Sequence, residues 1–339
     1  MAAAIVPPGI EDDKAQHVIP FVLSLLKHHE QSHAAYVTSH NALPPPLIIG
    51  LTAPQGAGKS LLVSLLHKFL HEDHKLPTTI FSLDDFYLPH DGLQALAKEN
   101  PENPLLQHRG QPSTHDIPLV RSVFASLREN NPTRIPQFNK AAYNGQGDRV
   151  PESDWLQVND DPAHPIRIVL FEGWCVGFRP LPSSVLEQKH SAAVTAAQAS
   201  SSDYKGRLGH NTLRNVTTIN EALKEYDEIT TQFNGLIDID AEDPLYVYEW
   251  RLEQEHNLIK AKGSGMTDEQ VREFVDGYYP SYELYVEGLR AGVFRTMEGE
   301  KADVEAAGEG EDGGKQQWQG RQLRLMVGRD RKVKKVDRI

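Results

Sequence analysis

The feature that most constrains the fold is a glycine-rich segment that joins a short apolar run to a helical pattern. The apolar run is Leu47-Ile-Ile-Gly-Leu51, and apolar residues at helical spacing resume over 60–70. Between them lies Ala53-Pro-Gln-Gly-Ala-Gly-Lys-Ser60. A buried strand that enters a glycine turn and then a helix is typical of layered α/β folds.

This segment matches the pattern G-x-x-x-x-G-K-[ST] except at its first position, where Ala53 replaces glycine. Gly56 and Gly58 permit the tight turns that direct several backbone N–H groups toward a triphosphate. Lys59 is then placed to reach the β- and γ-phosphates, and the Ser60 hydroxyl suits Mg²⁺. The alternative is an ordinary glycine-rich turn, but the flanking strand and helix favour a nucleotide site. The predicted nucleotide-binding residues are Ala53, Pro54, Gln55, Gly56, Ala57, Gly58, Lys59, Ser60 and Leu61.

Strand and helix patterns alternate along the rest of the chain. Strands are predicted at 78–83, 166–171, 236–239 and 323–327, and helices at 12–32, 116–129, 244–260 and 267–292. This alternation predicts about five parallel strands. Residues 188–212 are rich in Ala, Ser, Gln and His, and 298–316 are rich in Gly and Glu, so both predict mobile surface insertions rather than regular structure.

Charge and cysteine content exclude several classes of protein. The 339 residues include 35 basic and 47 acidic side chains, whereas binding nucleic acid requires an excess of Lys and Arg. Cys175 is the only cysteine, which excludes an intrachain disulfide and a cysteine-based metal site. Membrane-spanning and signal-peptide patterns are lacking. We therefore expect a cytoplasmic monomer or small homo-oligomer that binds neither nucleic acid nor membrane.

Two predicted strands end in acidic residues. The second runs directly into Asp84 and Asp85, and the third ends in Glu172. In an open α/β sheet the ligand lies beyond the carboxyl ends of the strands, beside which these acids would stand. Asp84 is the predicted general base and a metal ligand, and Glu172 is the acid that orients a metal-bound water. The alternatives are a turn or helix cap for the Asp pair and a solvated loop acid for Glu172.

Basic residues in the loops are candidates for stabilising charge during phosphoryl transfer. They are Arg109, Lys140, Arg149, Arg179 and Arg251. Singly, each is more often a surface salt-bridge residue, but as a set several are predicted to line the pocket. The histidines show no metal-binding pattern, and His90 and His115 fall near the predicted acceptor pocket. The aromatic run 278–285 predicts packing of a C-terminal helix, and the basic stretch 329–333 either borders the base or is a solvated tail.

Several of these segments together resemble one family, the D-glycerate 3-kinase-like group, which is similar to uridine kinase, phosphoribulokinase and pantothenate kinase. They are 53–60, 82–87, 109–116, 138–140, 147–149, 172–179 and 250–255. The resemblance implies a three-layer P-loop fold with a five-stranded parallel sheet of order 2-3-1-4-5, ATP as donor and Mg²⁺ as metal. It also implies a helical lid near 251–274. We predict that 1–40 is an N-terminal helical extension and 41–339 the kinase domain.

The resemblance assigns roles to single residues. Asp84 matches the base, Tyr87 an acceptor contact and Glu172 the acid that ends the third strand, while Arg251, Lys260 and Lys262 are the lid cations. With the motifs above, the predicted catalytic residues are Lys59, Asp84 and Arg251, and the predicted metal ligands are Ser60, Asp84 and Glu172. The predicted acceptor-binding residues are Asp84, Tyr87, His90, Arg109, His115, Lys140, Arg149 and Arg179. Asn139 departs from the family pattern, where Asp is common.

The resulting prediction is an ATP-dependent kinase that phosphorylates a hydroxyl of a small metabolite, and the resemblance implies D-glycerate. One alternative is a nucleoside or pantothenate-type kinase on the same scaffold, with a larger and more aromatic acceptor pocket. Another is a non-catalytic ATP-binding regulatory protein, which the presence of Lys59, Ser60, Asp84 and Glu172 disfavours. A switch GTPase is disfavoured because the guanine-reading motif N-K-x-D is lacking.

Overall fold

The fold is built on one six-stranded sheet. A computed structural model describes residues 12–40, 43–199, 204–263, 265–295 and 320–339. The strands are β1 (Leu47–Thr52), β2 (Thr78–Ser82), β3 (Ile168–Gly173), β4 (Gly235–Ala241), β5 (Gln322–Val327) and β6 (Val333–Arg338). They lie in the order β6-β5-β4-β1-β3-β2, with β6 antiparallel to β5 and all other pairs parallel. The five parallel strands therefore run 2-3-1-4-5, and β6 is an additional edge strand that was not predicted.

Helices cover both faces of this sheet. In the described ranges they are α1 (Ala15–Ser32), α2 (Ala34–His40), α3 (Lys59–His67), α4 (His90–Glu99), α5 (Ile117–Arg128), α6 (Ser183–Gln198), α7 (Leu213–Thr230), α8 (Tyr246–Lys262), α9 (Asp268–Asp276) and α10 (Tyr279–Ala291). One apolar core joins one face of the sheet to α5, α7 and α10, and a second joins the other face to α1 and α3. The predicted three-layer α/β fold is confirmed.

The central strands are apolar at successive positions because both of their faces are covered. All six residues of β1 are buried, with Ile48 in one core and Leu47 and Ile49 in the other. Parallel pairing then brings the carboxyl ends of the strands to one edge. Thr52 of β1 lies opposite Gly173 of β3, and β2 and β3 end side by side. The loops that follow these strands therefore meet at this edge.

Two predicted elements differ from the structure. The segment 267–292 forms two helices, α9 and α10, because Pro280 lacks an N–H for a continuous helix and lies in the first turn of α10. Residues 188–198 belong to α6, so the prediction of an insertion without regular structure is wrong there. The prediction failed because Leu186 is the one residue of α6 that is buried, so the helix lacks the broad apolar stripe by which a sequence pattern predicts a helix. The other predicted insertion, 298–316, lies outside the described residues.

Two further segments pack around this sheet. The N-terminal helix α1 shares the second core with β1 through Val18, Phe21 and Val22. A two-stranded antiparallel hairpin, Phe138–Asn139 with Asp148–Arg149, projects near the end of β2. Among the described helices, none combines the length and apolarity that crossing a membrane requires.

Candidate active site

The phosphate loop joins β1 to α3. Its two glycines have left-handed backbone angles, with φ +80° at Gly56 and +94° at Gly58, which other residues rarely adopt. Between them the Ala57 N–H donates to Pro54 O at 3.2 Å and closes a tight turn. Ala53 is buried and is not among the residues with positive φ, so alanine fits the first position of the motif. Because α3 begins directly after Gly58, its first backbone N–H groups are available at the loop.

Lys59 and Glu172 form an ion pair where this loop meets β3. Since β3 lies beside β1, the acid near the end of β3 comes next to the first residue of α3. Lys59 Nζ donates to Glu172 Oε2, and both side chains are about one-fifth exposed, at 20% and 17%. Ser60 is exposed in the same turn of α3. The structure therefore brings the loop lysine and a strand-end acid together, and the metal-binding role of Ser60 stays a prediction.

Asp84 lies on a short 3₁₀ turn that begins directly after β2. Ser82 caps this turn, since its Oγ accepts the Asp84 N–H at 3.2 Å and its own N–H donates to the Asp85 carboxylate at 2.9 Å. The Asp84 carboxylate accepts a hydrogen bond from Tyr87 Oη at 3.0 Å and pairs with Lys140 Nζ of the hairpin. The turn-cap prediction and the functional prediction therefore apply to different residues of the pair. Asp85 caps the turn, and Asp84 makes the contacts of a site residue.

The charge state of Asp84 is set by its neighbours. Burial by itself would raise the pKa of this carboxyl, but the charge and hydrogen bond of Lys140 hold it well below its usual range. His115 and Lys59 are further causes that lower this pKa. In turn, the Asp84 carboxylate raises the pKa of Lys140. Asp84 is therefore ionised and Lys140 protonated at neutral pH.

The raised pKa of Asp85 shows that negative charge is concentrated at this edge of the sheet. Burial raises the pKa of Asp85 to about 6, and the charges of Asp84 and Glu172 add to the rise against the hydrogen bond from Ser82. The charges of Asp84 and Glu172 thus act on a third carboxyl group at one place, where a cation would reduce the repulsion. No group of three or more His, Cys, Asp or Glu in the described ranges could hold a metal alone. These residues fit Mg²⁺, which is usually held by one or two carboxylates together with substrate phosphates.

The wall beside Asp84 consists of rings. The Tyr87 ring stacks on His115 with centroids 4.4 Å apart and meets the edge of Phe138 at 5.2 Å. His115 is buried, and its Nδ1 lies 2.7 Å from Tyr226 Oη. Burial lowers the pKa of His115 to about 3, so its imidazole is neutral at neutral pH. His115 and Tyr87, both predicted acceptor contacts, therefore form an uncharged surface next to the carboxylate.

Arg109 and Arg149 fix the loops around this wall. Arg109 donates to two carbonyl groups in the tip of the hairpin, and its Cζ lies 5.6 Å from the centre of the Phe138 ring. Arg149 Nη1 pairs with Asp116 at 3.1 Å, and its Nη2 donates to Tyr87 O at 2.8 Å. Both predicted cations thus lie beside this wall, where each one binds backbone carbonyl groups, and their contact with an acceptor stays a prediction.

Tyr278 is a neighbour of the site that the sequence did not identify. Its Oη donates to Arg109 O at 3.1 Å. Gly110 has φ +141°, and a Cβ at this position would lie 2.1 Å from Tyr278 Oη. Trp174 Nε1 donates to Gly110 O at 3.0 Å. The residue before α10 therefore packs directly on the Arg109 loop, and a Gly–Tyr contact of this kind between distant segments leaves no local signal in a sequence.

Two predicted acceptor residues make other contacts. Arg179 pairs with Asp227 of α7 at 3.1 Å. The His90 N–H donates to Asp148 Oδ1 at 2.8 Å, and its ring stacks on Tyr143 with centroids 3.8 Å apart. His90 therefore ties α4 to the hairpin, and Arg179 ties the loop after β3 to α7. Their contact with an acceptor stays a prediction.

The predicted lid corresponds to α8 and α9. Arg251 of α8 pairs with Glu255 at 2.7 Å, and its Cζ lies 5.4 Å from the Phe274 ring of α9. Lys260 is exposed near the end of α8, whereas the side chain of Lys262 lies outside the described part of the structure. Arg251 thus links the two helices, and its catalytic role stays a prediction.

No protein-family model matches the chain, but individual proteins are similar to it. The chain is 38% identical over 243 residues to the uncharacterized kinase mug58 of Schizosaccharomyces pombe, covering 71% of this chain and 81% of that one. It is 35% identical over 252 residues to the chloroplastic D-glycerate 3-kinase of Arabidopsis thaliana, covering 73% of this chain and 49% of that one.

A solved structure is also similar over nearly the whole chain. The D-glycerate 3-kinase from Cryptococcus neoformans matches with a TM-score of 0.80 and 32% sequence identity. The match covers 97% of this chain and 100% of that one.

Proposed function

Because the chain belongs to the D-glycerate 3-kinase-like family of P-loop kinases, and is therefore an ATP-dependent phosphotransferase, we propose that it phosphorylates a hydroxyl of D-glycerate. The observation that carries the chemistry is the meeting of Lys59, Glu172 and ionised Asp84 at the carboxyl edge of the sheet. Two relatives named D-glycerate 3-kinase support this choice of acceptor.

Asp84 performs the proton transfer in this proposal. Its carboxylate accepts the proton of the acceptor hydroxyl, whose oxygen forms a bond to the γ-phosphorus. At the same time the bond from the γ-phosphorus to the β–γ bridging oxygen breaks, and ADP leaves with that electron pair. Since Lys140 holds the pKa of Asp84 low, the carboxylate is free of a proton when the acceptor arrives.

The phosphate loop and the neighbouring acids position the phosphates. The backbone turn at Gly56 and Gly58 and the N-terminus of α3 supply N–H donors, and Lys59 supplies a cation to the β- and γ-phosphates. Ser60, Asp84 and Glu172 would hold Mg²⁺. When bound, this ion neutralises charge on the phosphate oxygens.

The acceptor side suits a small acid that carries hydroxyl groups. Lys140 is 58% exposed while it contacts Asp84, so its ammonium can pair with an acceptor carboxylate close to the base. Tyr87 and His115 provide an uncharged wall beside this pair. In D-glycerate a hydroxyl lies a short distance from the carboxylate. The hydroxyl can therefore contact Asp84 while the carboxylate pairs with Lys140.

A panel of acceptors tests the proposal. The protein is incubated with Mg·ATP and one acceptor at a time, ADP release is followed in a coupled assay, and the product is identified by ³¹P NMR. D-glycerate should give one phosphate monoester for each ADP released, and uridine and pantothenate should give none. If only uridine or pantothenate gave turnover, that compound would be the acceptor in place of D-glycerate. ATP binding without acceptor-dependent ADP release would support the regulatory alternative instead.

A further inference from the structure

The turn between β5 and β6 reaches the phosphate loop through Arg331. Arg331 Nε donates to Gly56 O at 2.7 Å, and its Nη2 donates to Glu253 of α8. Its Cζ lies 5.6 Å from the centre of the Trp250 ring, and the side chain is only 17% exposed. A single guanidinium thus joins the phosphate loop, α8 and the C-terminal hairpin formed by β5 and β6. These three segments are far apart in the sequence.

Trp250 packs on the same part of the loop. A Cβ on Gly56 would lie 2.6 Å from Trp250 Cβ and 2.9 Å from its carbonyl carbon. Trp250 is almost fully buried, and its Nε1 donates to Arg329 O at 2.8 Å. The first turns of α8 and the C-terminal hairpin therefore pack together against one side of the phosphate loop.

The hydrogen bond from Arg331 fixes the orientation of one peptide in the loop. The C=O of Gly56 and the N–H of Ala57 belong to the same trans peptide and point in opposite directions. Because Arg331 binds this C=O on one side, the N–H is directed to the other side, where it donates to Pro54 O at 3.2 Å. The contact thus stabilises the turn that shapes the phosphate-binding backbone.

The backbone of Arg331 is itself unusual. Its φ is +62°, in the left-handed region that favours Gly, Asn and Asp over arginine. The turn is closed by hydrogen bonds between backbone groups, from the Gly328 N–H to Lys332 O and from the Arg331 N–H to Gly328 O. An arginine held in an unfavourable conformation, with its guanidinium bound to both Gly56 O and Glu253, indicates that the side chain has a function.

We propose that Arg331 is a positioning residue that holds the phosphate loop in its ATP-binding conformation and ties it to α8, the helix that carries Arg251. The inference rests on the proposed function, because it concerns ATP binding by the kinase. A hydrogen bond from a charged group contributes enough to change an affinity by about 10–100-fold. Loss of the guanidinium should therefore weaken Mg·ATP binding by about that factor and leave the KM of the acceptor unchanged.

Arg331→Asn removes the guanidinium and keeps a residue that tolerates the left-handed turn. Arg329→Asn is the matched control, because Arg329 stands in the same turn, pairs with Glu249 and is 67% exposed. Binding of Mg·ATP is measured by titration calorimetry, together with the thermal midpoint and the KM values for ATP and acceptor. Arg331→Asn should raise the ATP Kd at least tenfold while the protein remains folded at the assay temperature, and Arg329→Asn should match the wild type.

Glu253→Gln provides a second test that leaves Arg331 in place. It weakens only the Arg331–Glu253 contact, so a smaller rise in the ATP Kd is expected, with no further rise when it is combined with Arg331→Asn. Equal ATP affinity in wild type and Arg331→Asn would overturn the inference, as would a loss that Arg329→Asn shares. If the wild type itself binds no Mg·ATP, the proposed function fails before this inference is reached.

Discussion

Asp238→Asn should change how the stability of the protein depends on pH. Asp238 lies in the middle of β4, is 2% exposed and pairs in register with Thr52 and Arg324. Burial raises the pKa of its carboxyl to about 8, and the charge of Asp240 adds to the rise against the attraction of Arg324 and Arg290. The ordinary pKa of this group, which applies in the unfolded chain, is 3.8.

The sign of the effect follows from where the proton is bound. Between the two pKa values the folded protein keeps a proton on Asp238 that the unfolded chain has released. The stabilisation is complete below the unfolded pKa and is lost as the pH rises toward about 8, at up to about 1.4 kcal/mol for each pH unit. Over roughly four units, from 3.8 to about 8, the upper limit is about 6 kcal/mol, comparable to the whole stability of a small domain.

Urea unfolding at a series of pH values measures this effect. The free energy of unfolding of the wild type should fall relative to that of Asp238→Asn by about 2–4 kcal/mol between about pH 5 and about pH 8. Asp160→Asn removes the same charge from an exposed position and controls for net charge. Parallel pH profiles for the wild type and Asp238→Asn would refute the reasoning.

Two further substitutions test the site and its supports. Lys140→Met removes the cation that keeps the pKa of Asp84 low, so we expect the acid limb of the kcat/KM profile to move to higher pH. An acid limb at the wild-type position would show that Lys140 does not control the ionisation of Asp84. Gly110→Ala places a Cβ 2.1 Å from Tyr278 Oη at φ +141° and should lower the free energy of urea unfolding by about 2–4 kcal/mol. Gly288→Ala, at an exposed helical position with open space, should cause no loss, and equal stability of the two variants would contradict the packing argument.

The nucleotide half of the site could be predicted because its signals are local in the chain. The phosphate loop follows a continuous apolar strand, and only a strand covered on both faces has that composition. The acids at 84 and 172 follow or end apolar strands, so parallel pairing alone brings them together. The alternation of strands and helices predicted a parallel sheet, whereas the strand order 2-3-1-4-5 was implied only by the family resemblance.

The remaining features depend on tertiary contacts that no local pattern records. β6 reads Val-Lys-Lys-Val-Asp-Arg, which suits an exposed edge strand and looks like a solvated tail. Arg331 contacts Gly56 across 275 positions of sequence, and Tyr278 meets Arg109 across 169. The helix α6 was missed because it buries little apolar surface. For Arg331 and Tyr278 the decisive contact joins segments that are distant in the sequence.

Asp84→Asn tests the central claim most directly. With the acceptor that the panel identifies, the rate of ADP release should fall by about 10²–10⁴-fold, because an amide cannot accept the hydroxyl proton. The Kd for Mg·ATP, measured by titration calorimetry, should rise far less than the rate falls, since Lys59, Ser60, Glu172 and the loop backbone are unchanged. Wild-type turnover by Asp84→Asn would contradict the account of this carboxylate as the base.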